Sequence, residues 1–211
     1  MNNWLNTTIK NYEHYFGLTD KPVVWEVGSR DGRDGVELAQ RIYNGKPDWF
    51  WSNATVVLFE PNPIQANIIR SEYPEAIVYE LAASNTKGSA PFMVYHGDEG
   101  AIGSSSLDLN WKENDLPGHT IVVETDCLEN IIEDEEIDIM KIDVEGHSLA
   151  VLQGIGHKID QIKVFHIETE TWTNSDKAVK EFMTMKGFTL VDQAEQYSGM
   201  PDQVWVKERS Y

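Results

Sequence analysis

Along the chain, side chains that would pack in a core recur first at helical spacing and then at strand spacing. In the opening stretch NNWLNTTIKNYEHYFG, Trp4, Leu5, Thr8, Ile9, Tyr12 and Phe16 fall three or four residues apart and Gly17 follows. That stripe predicts an amphipathic helix ending at the glycine. Residues 1–20 are thus expected to pack on a single domain formed by residues 21–211. After Pro22 the pattern shortens: VVWEV, TVVLFE, AIVYELA, IDIMKID and IKVFHIE have the length and composition of buried parallel strands. Between them DGVELAQRIYNG, NPIQANIIRSEY, HSLAVLQGI and DKAVKEFMTMKG carry helical spacing. Strand and helix therefore alternate, which predicts a doubly wound α/β sheet. The segment FTLVDQAEQYSGMPDQVWVKE differs, with two strand-like runs around a Gly-Met-Pro-Asp turn. It predicts an antiparallel hairpin that closes an otherwise parallel sheet.

Composition narrows the function. With 211 residues and 41% hydrophobic content the chain can bury one substantial core. A formal net charge of −18 disfavours nucleic acid and anionic membranes, whose phosphates need clustered Lys and Arg. A small or uncharged partner fits better. The single cysteine, Cys127, has no internal disulfide partner, no basic-then-apolar leader opens the chain, and no apolar run is long enough to cross a bilayer. A cytoplasmic protein without a membrane partner is expected.

Candidate chemistry begins at VVWEVGSRDGRDG, residues 23–35, where an apolar run meets Glu26 and then glycines that keep bulk out of a turn. In a wound parallel sheet the first strand-to-helix turn borders the ligand crevice. A dinucleotide fingerprint would place its second glycine where this chain has Arg30, so NAD fits poorly. S-adenosylmethionine carries no phosphate. Its carboxylate, ammonium, sulfonium and ribose diol call for room, amide donors and carboxylates, and Glu26 with the 28–32 turn offers such a set. Glu60 ends TVVLFE, where its carboxylate would accept the ribose hydroxyls, and Pro61 stops the strand. In YELAAS, the small Ala82 and Ala83 would leave a flat gap for adenine.

With these motifs together, the chain resembles the FkbM-type methyltransferases of the class I S-adenosylmethionine-dependent superfamily. The resemblance spans roughly residues 22–170 and rests on WEVGSRDG, LFEPNP, YELAAS, TDCLENII and above all IDIMKIDVEGHSLAVLQG. It implies a Rossmann-like, mostly parallel seven-stranded sheet and transfer of a methyl group, typically to a hydroxyl. It also implies donor binding by Glu26, Gly28, Gly32, Glu60 and the 82–84 strand end. Arg30, Pro61 and Asp143 complete the candidate cofactor-binding set. Arg30 departs from the Asn frequent at that position in the family, and the chain leaves little room for a separate acceptor-binding domain.

Beyond the donor, KIDVEG puts Lys141 and Asp143 on one side of a strand, with Asp143 toward the methyl group. His166 and Glu168 share a parity on the neighbouring strand. The candidate catalytic residues are Asp143, Glu145, His166 and Glu168, with His147 a weaker alternative to His166 as base. Asp143, Glu145 and Glu168 are also an oxygen-rich set suited to magnesium, but catalysis without a metal is the preferred expectation. The loop GAIGSSSL offers Ser104, Ser105 and Ser106 to the acceptor. Trp49 and Trp51 are expected to pack, Asp126 to cap the next helix, Cys127 to be inert, and EDEE at 133–136 to form a solvated loop. The resulting expectation is an O-methyltransferase for a small-molecule or glycan hydroxyl. A nucleic-acid methyltransferase, a non-catalytic donor-binding module and an NAD-linked oxidoreductase are the alternatives.

Overall fold

A computed structural model of the protein describes residues 5–97, 104–109, 117–197 and 199–207. Trp4 and residues 100–103 of the serine-rich loop lie outside the described residues.

The apolar runs pair as a seven-stranded sheet in the order β3-β2-β1-β7-β8-β10-β9. Its strands are β1 (Val23–Val27), β2 (Thr55–Phe59), β3 (Ile77–Tyr79), β7 (Ile137–Ile142), β8 (Ile162–Glu168), β9 (Thr189–Tyr197) and β10 (Met200–Val206). All pairs are parallel except those made by β10, which runs antiparallel to both β8 and β9. The doubly wound fold with a C-terminal antiparallel hairpin is therefore present. The last strand is the inner one of that hairpin, because MPDQVWV, buried from Pro201 onward, can sit beside β8.

Alternation along the strands divides the core into two faces. Val24, Val56, Leu58, Ile139, Val164 and Val204 meet α1 (Leu5–Phe16) and α2 (Arg33–Ile42). Trp25, Phe59, Met140, Phe165 and Trp205 meet α5 (Ser148–Gly154) and α6 (Ser175–Met185) on the other face. Helix α1 ends as the stripe predicts: Gly17 takes φ +74°, and its N–H donates to the Glu13 carbonyl at 3.0 Å. A short turn, α3 (Phe50–Asn53), precedes β2, and α4 (Pro63–Glu72) follows it. Asn62 caps α4 by accepting the Ile64 N–H at 3.0 Å, with Pro63 in the first turn.

A second sheet, β4-β6-β5, departs from the sequence reading. It comprises β4 (Ala82–Ala83), β5 (Gly88–Tyr95) and β6 (Gly118–Asp126). AIVYELA, read as one strand, divides into β3 and β4 in different sheets. Strand β6 was missed because its outward side chains are polar or exposed; Val122 is 76% exposed. This small sheet lies over the carboxyl-terminal end of the large one and walls the crevice described next.

Candidate functional site

The turn after β1 shows what its glycines do. A Cβ on Gly28 would lie 1.8 Å from the Asp143 carbonyl oxygen, and one on Gly32 would meet Leu58 and Ile69. Both residues have positive φ, so no other residue fits without strain. Their amides turn inward. The N–H groups of Gly28 and Ser29 donate to the Phe59 carbonyl, that of Gly32 to the Ser29 carbonyl, and that of Arg30 to Glu60 Oε2 at 2.9 Å. The turn is thus a packing device joining β1 to the ends of β2 and β7, with these four N–H groups satisfied within the protein.

That junction is where strand order reverses, with β2 on one side of β1 and β7 on the other. A crevice with about 580 Å³ of space, part of it open to solvent, lies there. Glu60, Pro61, Asn62 and Gln65 line one side, Leu81, Ala82, Ala83 and Phe92 another, and Gly28, Arg30, Asp143, Val144 and His147 a third, with Ser105 and Leu107 across the top. Glu60 is held from two turns, since its Oε1 also accepts the Asn62 N–H at 2.8 Å. Burial pushes this carboxyl up to about 7 despite the two amides. Arg30 takes φ +49°, uncommon for a side chain of its size, and pairs with Asp31 at 3.1 Å.

Beneath the crevice floor, Lys141 Nζ lies 2.8 Å from Asp143, 3.4 Å from Asp34 and 3.5 Å from Glu26. Burial opposes the lysine's charge, but Asp143, Asp34 and Glu26 hold its pKa well above the ordinary value. Glu26 is buried, is not part of the crevice lining, and accepts the Gly35 N–H at the start of α2 at 3.0 Å. Burial pushes it up to about 8, with Lys141 pulling the other way.

The remaining acidic candidates gather just behind Asp143. Oxygens of Asp143, Glu145 and Glu168 all lie within 4.8 Å of one another. Glu145 has φ +49° and Gly146 φ +88°, a left-handed pair that reverses the chain after β7. Burial, then Asp143, Glu145 and Asp202, push Glu168 up to about 11. Nearby Glu170 accepts the Gly146 N–H at 3.0 Å and is pushed by burial up to about 7.

His166 stands elsewhere. It is fully buried on the α1 face, with Nδ1 2.6 Å from Thr8 Oγ1 and Nε2 3.0 Å from Asp202 Oδ1. His147 is the histidine that reaches the crevice, its Nε2 3.0 Å from Ser84 Oγ, and burial lowers its pKa. Of the three serines only Ser105 lines the crevice; Ser104 is buried, and Ser106 donates to the Glu145 carbonyl at 2.5 Å.

Sequence reasoning missed Asn62, Gln65 and Phe92 in the lining. Nothing local marked Phe92, which arrives on the small sheet. Outside the crevice, Trp51 packs against Phe50 and Tyr73, whereas Trp49 is 58% exposed under Lys46. Asp126 reaches the Cys127 N–H and the Asn130 side chain beside a single 3-10 turn rather than capping an α-helix. Burial, then Glu129 and Asp126, raise the Cys127 pKa, as befits an inert thiol. Residues 133–136 form an open loop, largely exposed.

A crevice at the switch point, bounded by an acidic strand end and a small-residue strand, defines a class I methyltransferase fold. The FkbM methyltransferase domain family matches residues 26–190. This chain belongs to that family and is an S-adenosylmethionine-dependent methyltransferase. No curated protein matches its sequence significantly. Similar solved structures share the fold at low identity. TrmK of M. capricolum, in complex with S-adenosyl-homocysteine, is 10% identical over 100% of this chain and 70% of its own, with TM-score 0.51. The Methanococcus jannaschii fibrillarin pre-rRNA processing protein is 14% identical over 91% and 69%, with TM-score 0.52. Precorrin-6y C5,15-methyltransferase of Geobacter metallireducens is 12% identical over 96% and 89%, with TM-score 0.50. Among the described residues no helix is long and apolar enough to cross a membrane.

Proposed function

We propose that this enzyme methylates a hydroxyl group of a small molecule or glycan in the cytoplasm. The observation that carries the reading is the crevice itself, which sets the Glu60 carboxylate, an apolar slot and Asp143 around one space. A carboxylate has about four acceptor positions, so Glu60, with two amides on it, retains capacity for the ribose hydroxyls. Ala82 and Ala83, with Leu81 and Phe92, would sandwich the adenine. Arg30 would face the donor carboxylate, and Gly32 and Glu26 would shape the turn from below.

The donor supplies a methyl group on a positively charged sulfur. Asp143 at the rim would orient the acceptor oxygen and take its proton as the carbon–oxygen bond forms and the carbon–sulfur bond breaks. Lys141, 2.8 Å away, is a positioning residue for that carboxylate. His147 and Ser105 would border the acceptor, and Ser106 would pin the loop over it. His166 is assigned to anchoring α1, since its two nitrogens face Thr8 and Asp202.

Calorimetry with S-adenosylmethionine, paired with mass analysis of products from hydroxyl and amine acceptors, tests the reading. Glu60→Ala should weaken donor binding at least about tenfold. Asp143→Asn should slow transfer at least about 100-fold and leave donor affinity within about threefold, the mark of an interaction made in the transition state. Methyl found only on amines, or unchanged donor binding by Glu60→Ala, would overturn it.

A further inference from the structure

The polar side chains that line the crevice are held by the protein itself, with one exception. Arg30 pairs with Asp31, Asn62 caps α4, Ser105 accepts the Tyr95 N–H, Asp143 meets Lys141, His147 meets Ser84, and Glu60 holds two turns. Gln65 lines the same space, half-buried, and its side chain has no hydrogen-bond partner among the described residues.

The reason lies in the first turn of α4. A glutamine three positions after a helix cap ordinarily reaches back to the cap's own N–H, which closes a capping box. Asn62 and Gln65 have that spacing, but the Asn62 N–H donates to Glu60 Oε1 at 2.8 Å. Glu60 thus displaces Gln65 from its local partner. Ala66 and Ile69, fully buried on the same helix, fix the turn against the sheet. The Gln65 amide is left on the Glu60 wall of the crevice with a donor and an acceptor side by side.

Adenine carries the complement. On one edge its N6 amino group donates and its N7 accepts, and a glutamine amide meets both with a pair of parallel hydrogen bonds. The slot formed by Leu81, Ala82, Ala83 and Phe92 is apolar, so those side chains can cover the ring faces but cannot read an edge. We propose that Gln65 selects the base of the methyl donor, accepting from N6 and donating to N7 while Glu60 holds the ribose. The assignment rests on the reading that places the donor nucleoside in this crevice. In an inosyl compound an oxygen replaces the N6 amino group, so the Gln65 carbonyl loses its donor and faces a second acceptor.

The test is calorimetry of the full chain with S-adenosylhomocysteine and with S-inosylhomocysteine. The wild type should bind the adenosyl compound at least about tenfold more tightly. Gln65→Leu, close in size and unable to hydrogen-bond, should lose about tenfold or more on the adenosyl compound and no more than about threefold on the inosyl one. The preference between the two should therefore collapse. Asn67→Ala, on the exposed side of α4, should leave both affinities unchanged. Thermal denaturation gives a second readout, since saturation with S-adenosylhomocysteine should raise the melting temperature of Gln65→Leu less than that of the wild type. If Gln65→Leu fails to fold, Gln65→Ala takes its place with the same expectations. A wild type without the preference, or a preference that survives in Gln65→Leu because both affinities fall together or neither changes, would overturn this assignment and leave the donor site standing. A wild type that binds neither compound would overturn both.

Discussion

Glu60 ties two turns of the fold together at the crevice wall. Its oxygens hold the backbone of two turns, at Arg30 and Asn62, and burial pushes its pKa up to about 7. Only the ionised form accepts hydrogen bonds from two hydroxyls, so donor binding should favour loss of this proton. The sign follows: above about pH 7 affinity should level off, and below it affinity should fall by up to about tenfold per pH unit. Calorimetry from about pH 5.5 to about pH 8.5 checks this, with Glu60→Gln expected to be weak and flat. The place of Glu60 at the crevice was legible in the sequence, because an acid that ends an apolar run before a proline falls at the carboxyl end of a strand, where a wound sheet opens its crevice. Glu26, likewise an acid in an apolar run and placed with the 28–32 turn in the donor-binding set, faces Gly35 and Lys141 below the crevice. Local pattern set its parity; the neighbouring helix decided what it meets.

At the scale of elements, α1 is fastened to the sheet by buried polar contacts as well as by its apolar stripe. Thr8, His166 and Asp202 form one chain of contacts, and Tyr12 donates to Asp138 Oδ1 at 2.8 Å. Thr8→Val keeps the shape but leaves a buried ring nitrogen without its partner, which should cost about 1–3 kcal/mol. The melting temperature should drop by roughly 2–10 °C for a chain of this size. Methyl transfer by the surviving folded protein should stay within about threefold. A loss of about 100-fold in turnover with unchanged melting would return His166 to the catalytic set. The helix and its stripe were readable from spacing; the histidine's contacts were not, because its partners lie 158 and 36 positions away in the chain. The small sheet was harder still, since β6 buries only one side of a polar ribbon.

For the whole molecule, the excess of 35 acidic over 17 basic side chains bears on the acceptor. Many of the basic ones are occupied, among them Lys87, Lys158, Lys163 and Lys207 in ion pairs with aspartates. Binding to RNA should therefore be weak and should lack the steep fall with salt that phosphate neutralisation produces. Filter binding across a salt series checks this, and a steep negative slope would favour a nucleic-acid acceptor. What the sequence determined by itself was the alternation of strand and helix that builds the large sheet, the turn glycines and the acidic strand ends, because hydrophobic period and backbone freedom are local properties. Which of those acids meet one another was decided only by tertiary structure. Register across β7, β8 and β10 sets Glu168 against Asp202, and a left-handed turn brings Glu145 back to Asp143. Contacts of that kind depend on strand order and on the path of the chain between strands, which no stretch of sequence encodes alone.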